Sequence, residues 1–200
     1  MFTVGIDEVG RGCWAGPVVA GAVVLKAPIK GLRDSKKLSQ KQREKLAGII
    51  QNEATAIGLG WVNAAQIDEI GLTEAVKLAM TLALEQITVN YDEVIIDGNL
   101  NYLVGNVKAR PIIKADDSVP SVSAASIVAK VARDNYMHLQ SRKYPGYGFE
   151  KHVGYGTQLH RQKLILLGVS DLHRKSFKPV GLVAKAVDNS DPAAEVAALG

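Results

Sequence analysis

One cysteine, four histidines and no stretch of twenty apolar residues are the shortages that first narrow what this 200-residue chain can be. The lone Cys13 excludes an internal disulfide, so nothing covalent staples the fold. His138, His152, His160 and His173 are scattered, and none has metal-ligand spacing with another His or with Cys13. Zinc is therefore disfavoured, and surface or phosphate contacts are the expected roles of these imidazoles. Without a bilayer-length apolar run or a basic-then-apolar opening, a soluble, cytoplasmic protein with no membrane attachment is expected. The absence of a heptad pattern points to a monomer.

What is present suffices for a globular core: 47% of the residues are hydrophobic and 22% charged. The net charge is only +4, but it is unevenly spread. Residues 53–97 carry eight acids against one lysine, whereas 108–178 carry thirteen Lys or Arg against five acids. A second basic group, Lys30, Arg33, Lys36, Lys37, Lys41, Arg43 and Lys45, is offset only by Asp34 and Glu44. Such segments suit a polyanion bound by counterion release, although a solvated helical face explains the second group equally well. Lys36, Lys37, Lys143, Lys151, Arg161 and Arg174 are the phosphate-contact candidates.

Strand-like and helix-like stretches alternate. Phe2–Ile6, Gly16–Leu25 and Thr55–Val62 are apolar and β-branched and could form a meander. Residues 39–52 open on a plausible Ser39 cap and repeat apolar positions at Leu46, Ile49 and Ile50, predicting a helix, and Thr73–Ile87 repeats the pattern. Tyr91–Asp97 contains Val94, Ile95 and Ile96 before an Asp-Gly-Asn turn, which reads as a buried central strand. ARPII at 109–113 is a further short strand. A loop from Lys114 to Ser118 then precedes a helix from Pro120 to about Gln140, with Val128, Val131, Ala132 and Leu139 as its inward stripe. Beyond Val180 the chain turns small and polar, and residues 181–200 are expected to form a flexible tail.

Against this scaffold the acids stand out. Asp7 and Glu8 follow the first apolar run, where the strand is expected to stop, and lead directly into Gly10-Arg11-Gly12. Asp97 closes the central strand, and Asp116 precedes a helix start, where peptide dipoles favour negative charge. The modest reading of Asp116 or Asp117 is a helix cap. Taken together, four acids on one edge of an α/β sheet form an oxygen-only donor set, which suits Mg²⁺ or Mn²⁺ rather than zinc and makes phosphodiester hydrolysis the natural hypothesis. Cys13 has no His partner nearby in sequence and reads as a small buried residue rather than a nucleophile.

The blocks GIDEVGRGCWAGPVVAGAVV, LRDSKKLS, VIIDGN, IIKADDS, SAASIVAKVARD, YPGYGFEKHVGYGT and HRKSFKP, spread over about residues 2–180, resemble bacterial ribonuclease HII. That resemblance implies an α/β, ribonuclease-H-like fold: a mixed central β-sheet flanked by helices, with a C-terminal helical segment, in a catalytic domain spanning 1–180. It implies catalysis and metal ligation by Asp7, Glu8, Asp97 and Asp116, with Asp117 a neighbouring rival for the fourth place. It further implies substrate contacts from Gly10, Arg11 and Gly12, which would sense the 2′-hydroxyl, and from Tyr155, which would pack on the sugar at an RNA-to-DNA step. On residues alone, Tyr155 between two glycines is equally an exposed ring or a buried anchor.

The implied activity is cleavage 5′ to a ribonucleotide, leaving a 3′-hydroxyl and a 5′-phosphate. The implied substrates are RNA–DNA hybrids and single ribonucleotides in duplex DNA, with roles in primer removal and ribonucleotide excision. A replication or repair protein is an open possibility as partner. Two other classes account for less. A non-catalytic hybrid-binding module has no need of four acids, and a small-molecule phosphatase leaves the basic segments unexplained.

Overall fold

In a computed structural model of the chain, residues 2–32 and 35–188 are described; the expectations for Arg33, Asp34 and 189–200 fall outside them. In chain order the elements are strands β1 (Thr3–Val9), β2 (Val18–Leu25), β3 (Ala54–Val62), β4 (Glu93–Asp97) and β5 (Ala109–Ile112). The helices are α1 (Gln40–Glu53), α2 (Ala64–Ile70), α3 (Leu72–Glu85), α4 (Ala115–Ser118), α5 (Pro120–Lys143), α6 (Phe149–His152), α7 (Gln158–Leu167) and α8 (Lys178–Asp188). The described residues group into two compact units: 2–9, 18–62 and 75–133 in the first, and 10–17, 63–74 and 134–188 in the second.

The first unit is a five-stranded mixed sheet in the order β3-β2-β1-β4-β5. The expected meander is real, because β1 pairs antiparallel with β2 and β2 with β3, while β4 runs parallel to both β1 and β5. Strand β1 does not stop before its acids. Asp7 pairs with Gly21 and Glu8 with Ala20, so the ladder with the long β2 carries the strand through Val9. Successive residues of a strand point to opposite faces, so Asp7 and Glu8 leave the sheet on opposite sides.

Helix α5 covers the face that carries Asp7, and its approach is close enough to exclude side chains. A Cβ on Gly5 would collide with the main chain of Ser121 and Val122, and one on Gly21 would stand 2.6 Å from the Ala125 carbonyl oxygen. Val23, Ala124, Ala125, Ile127 and Val128 pack there with Leu46, Ala47 and Ile50 of α1. Ser39 caps α1 as expected: its hydroxyl accepts the Gln42 N–H while the Gln42 side chain accepts the Ser39 N–H, a reciprocal box whose loss costs about 1 kcal/mol.

Two readings of α5 and its approach need correction. Residues 115–118 are helical rather than a loop. Of the expected inward stripe, Val128 is buried and Val131 packs half-buried against the same core, but Leu139 is exposed, and burial extends round the helix to every residue from Ser121 to Ala129 and on to Arg133 and Met137. A helix segment buried all round offers no amphipathic period to read.

The second unit is built from loops and short helices. Phe149, Tyr147, Met137, Leu172 and Ala15 form one cluster, and Leu164, Val180 and Val183 another, the latter with Trp14, Val169 and Phe177. Sequence periodicity missed α2, α6 and α7, which span only 7, 4 and 10 residues. Helix α8 also corrects the expected tail, since helical backbone continues to Asp188 and Val183 is buried. None of the helices among the described residues is long and apolar enough to cross a membrane.

Candidate metal centre and nucleic-acid contacts

The four acids implied as ligands all belong to the first unit: Asp7 and Glu8 in the C-terminal half of β1, Asp97 at the end of the adjacent β4, and Asp116 in α4. The parallel register of β1 and β4 aligns Ile6 with Ile96. Asp7 and Asp97 are each the next residue along, so they leave neighbouring strands toward the same face. Asp97 ends β4 and reaches forward: its Oδ1 accepts the main-chain N–H of Ala115 at 2.8 Å and of Asp116 at 3.4 Å. Those bonds fasten the first turn of α4 to the end of β4, in place of a side-chain cap on Lys114, which adopts the left-handed conformation.

Asp116 is 6% exposed, and the Ser123 hydroxyl donates to its carbonyl oxygen. Asp117 behaves oppositely. Its side chain is 40% exposed and pairs with Lys37 Nζ at 2.6 Å. Of the two neighbours, only Asp116 is buried.

Asp7 is buried, and its carboxyl is pushed up to about 8. Loss of hydration is the largest cause, and the charge of Glu8 and then that of Asp97 add to it, while a hydrogen bond with the Ser126 side chain and one from the Glu8 N–H, at 2.8 Å, oppose it. A buried carboxyl that feels two neighbouring carboxylate charges is costly to ionise unless a cation joins them, and the oxygen-only donors fit a hard divalent ion. Among the described residues, no three acid, imidazole or thiolate side chains already stand as a closed ligand cluster. Ser126 was missed from sequence, although a signal existed: Ser123 and Ser126, three apart in an otherwise apolar helical stretch, share a face of α5. Ser126 also bonds the Ser35 hydroxyl at 2.9 Å.

Gly10, Arg11, Gly12 and Tyr155 all belong to the second unit. Gly10 has φ +91°, a conformation costly for any side chain, and a Cβ on Gly12 would meet open space. Arg11 is exposed. The loop is held from beneath by Arg174, which is fully buried and donates Nη1 to the Arg11 carbonyl at 2.9 Å and Nε to the Gly16 carbonyl at 3.0 Å. This corrects the expectation that Arg174 meets phosphate at the surface; Lys36, Lys143 and Lys151 are exposed, and Arg161 is half-buried.

Tyr155 forms an antiparallel bridge with Cys13 and is 38% exposed, so it is not a buried anchor. Cys13 is buried, as its modest reading required. The histidines depart furthest from expectation. His152, His160 and His173 form a buried cluster, with His152 stacked on His160 at 4.3 Å between ring centroids and His160 Nε2 3.1 Å from His173 Nε2. Burial, as the largest cause, lowers the His152 imidazole and takes His160 to about 3 and His173 to about 4.

A family model described as Ribonuclease HII matches residues 4–180. A ribonuclease HII of Halorhodospira halophila is 48% identical over 179 residues, which cover 88% of this chain and 92% of the relative. Among solved structures, ribonuclease H2 from Pyrococcus horikoshii OT3 superposes with a TM-score of 0.79 at 24% identity, covering 94% of this chain and 99% of that one. Bst-RNase HIII in complex with Mn²⁺ superposes with a TM-score of 0.72 at 21% identity, covering 95% and 71%. The mixed sheet flanked by helices is thus the fold of these ribonucleases H.

Proposed function

Because the chain belongs to the ribonuclease HII family, we propose that Asp7, Glu8, Asp97 and Asp116 are the carboxylates that hold its divalent ions beside the scissile phosphate. The protein is a metal-dependent endoribonuclease acting on the RNA strand of RNA–DNA hybrids. The observation that carries the ligand assignment is the buried Asp7 placed beside Asp97 on adjacent parallel strands, both leaving toward the same face. When bound there, Mg²⁺ or Mn²⁺ supplies Lewis-acid polarisation of the phosphodiester and a lowered pKa for water.

The chain's own residues orient that chemistry. Asp97 holds the Ala115 and Asp116 N–H groups and so fixes Asp116 beside the end of β4. Ser126 orients Asp7. Gly10, Arg11 and Gly12 form the substrate grip: the open space at Gly12 lets main chain approach a ribose, and the exposed Arg11 can hold a phosphate by a forked contact. Tyr155 packs on the sugar at the RNA-to-DNA step, consistent with its exposure.

Cleavage falls 5′ to a ribonucleotide, leaving a 3′-hydroxyl and a 5′-phosphate. Single ribonucleotides embedded in duplex DNA are therefore substrates alongside hybrids, in ribonucleotide excision and primer removal in the cytoplasm, with the enzyme acting as a monomer. The test is a labelled DNA duplex with one internal ribonucleotide, incubated with Mg²⁺, Mn²⁺ or chelator. Cleavage at that position with either ion, abolished by chelator, is expected; an intact duplex with both ions refutes the reading.

A further inference from the structure

We propose that His160 and His173 are positioning residues whose imidazoles form a fixed hydrogen-bond relay that holds the Tyr155 main chain, and so its ring, at the substrate surface. The proposal rests on the reading of Tyr155 as the junction contact.

The hydrogen-bond pattern assigns every proton in the relay. His160 Nδ1 lies 3.0 Å from the Tyr155 carbonyl oxygen, which can only accept, so Nδ1 carries the hydrogen. A neutral His160 then offers a lone pair at Nε2, and His173 Nε2, 3.1 Å away, must donate to it. His173 Nδ1 is left as an acceptor, and it receives the Ser170 N–H at 3.0 Å and the Ser170 hydroxyl at 2.8 Å. His152 follows the same logic: Nε2 donates to the Tyr147 carbonyl at 3.0 Å, and Nδ1 accepts the Gly154 N–H at 3.2 Å. Each imidazole has one donor and one acceptor in use, and burial keeps all three neutral.

What this relay holds is a strained turn. Val153 sits at φ +43° and ψ +35°, a left-handed conformation that a β-branched residue adopts only when its surroundings compel it. The compulsion is visible on both sides. The Tyr155 N–H donates to the His152 carbonyl at 2.9 Å, the Trp14 N–H donates to the Gly154 carbonyl at 2.8 Å, and a Cβ on Gly156 would collide with the Trp14 ring. The Tyr155 carbonyl accepts the His160 Nδ1–H and the Thr157 N–H. Released from the relay, the turn can relax, and the Tyr155 ring loses its fixed presentation while the four acids are untouched.

Two substitutions of similar size separate this role from mere packing. His160→Asn keeps a donor where Nδ1 stands, and His160→Gln keeps a polar atom where Nε2 stands but none at Nδ1. With Mg²⁺, the Asn variant should cut a duplex with one internal ribonucleotide with KM within about 3-fold of the parent, and the Gln variant with KM raised about 10-fold. For both, kcat on a long RNA–DNA hybrid should stay near the parent value. Equal KM values for the two variants overturn the proposal.

Proton-detected ¹⁵N spectra of the unsubstituted protein test it without any variant. His160 should be the Nδ1–H tautomer and His173 the Nε2–H tautomer, both neutral down to pH 5; the opposite tautomers, or a charged His160 at that pH, overturn it. Tyr155→Ala tests the underlying reading separately, since equal losses on both substrates refute the junction contact whatever the tautomers.

Discussion

The Asp97 carboxylate accepts the main-chain N–H of Asp116, as it does that of Ala115, so one acid builds the platform on which another stands. This links the end of β4 to the start of α4 and gives Asp97 two separable duties, charge and scaffold.

Asp97→Asn keeps an oxygen able to accept both N–H groups but removes the charge. Turnover should fall about 100-fold or more while hybrid affinity and Tm stay close to the parent. Asp97→Ala should lose turnover and, in addition, about 1–2 kcal/mol of stability from the orphaned N–H groups. Kinetics with thermal melts check this; unchanged turnover in the Asn variant excludes a ligand role.

The two neighbouring acids should separate cleanly. Asp117→Asn breaks an exposed pair with Lys37, so stability should change by less than about 1 kcal/mol and turnover should hold. Asp116→Asn should lose most turnover. The reverse outcome would transfer the fourth ligand to Asp117.

Asp7 predicts a pH signature in metal-free protein. Its folded carboxyl titrates at about 8 against an ordinary 3.8, so between those values the unfolded chain has lost the proton that the native state keeps. Rising pH across that window therefore destabilises the native state through this group. In chelator, Asp7→Asn should flatten the fall in Tm between pH 5 and pH 8. The gain in Tm on adding Mg²⁺ should grow over the same range, because ion and proton compete for the carboxylate. Melts at both pH values, with and without Mg²⁺, decide it; a Mg²⁺ gain independent of pH contradicts the assignment.

Gly5 tests how tightly α5 is seated on the sheet. Gly5→Ala forces a Cβ into the main chain of Ser121 and Val122 and should cost about 1–3 kcal/mol or more, a fall in Tm of several degrees. Gly105→Ala meets open space and is the control, expected to change little. Equal melts would show that the helix can shift to make room.

Much of the first unit was legible because its signals are local. The apolar, β-branched runs that became β1 to β4 carry strand propensity in themselves, and Ser39 with Gln42 writes its capping box within four residues. The end of β1 was not legible, because pairing with the longer β2 carries the strand past its apolar run. On α5, Val128 and Val131 were legible but the rest of the buried surface was not, because a segment buried on all sides has no polar face to mark its period.

The identities of the acids, their order and the blocks around them were in the sequence alone, since chemistry and spacing along a chain need no coordinates. Only the tertiary structure decided that Asp116 is buried while Asp117 pairs with Lys37, and that Arg174 holds a loop from within. It also brought three histidines separated by eight and thirteen residues into one buried cluster, His160 bonded to His173 and stacked on His152. Burial and hydrogen-bond direction depend on what packs around a group, and that environment is assembled from chain segments too far apart for any local pattern to report.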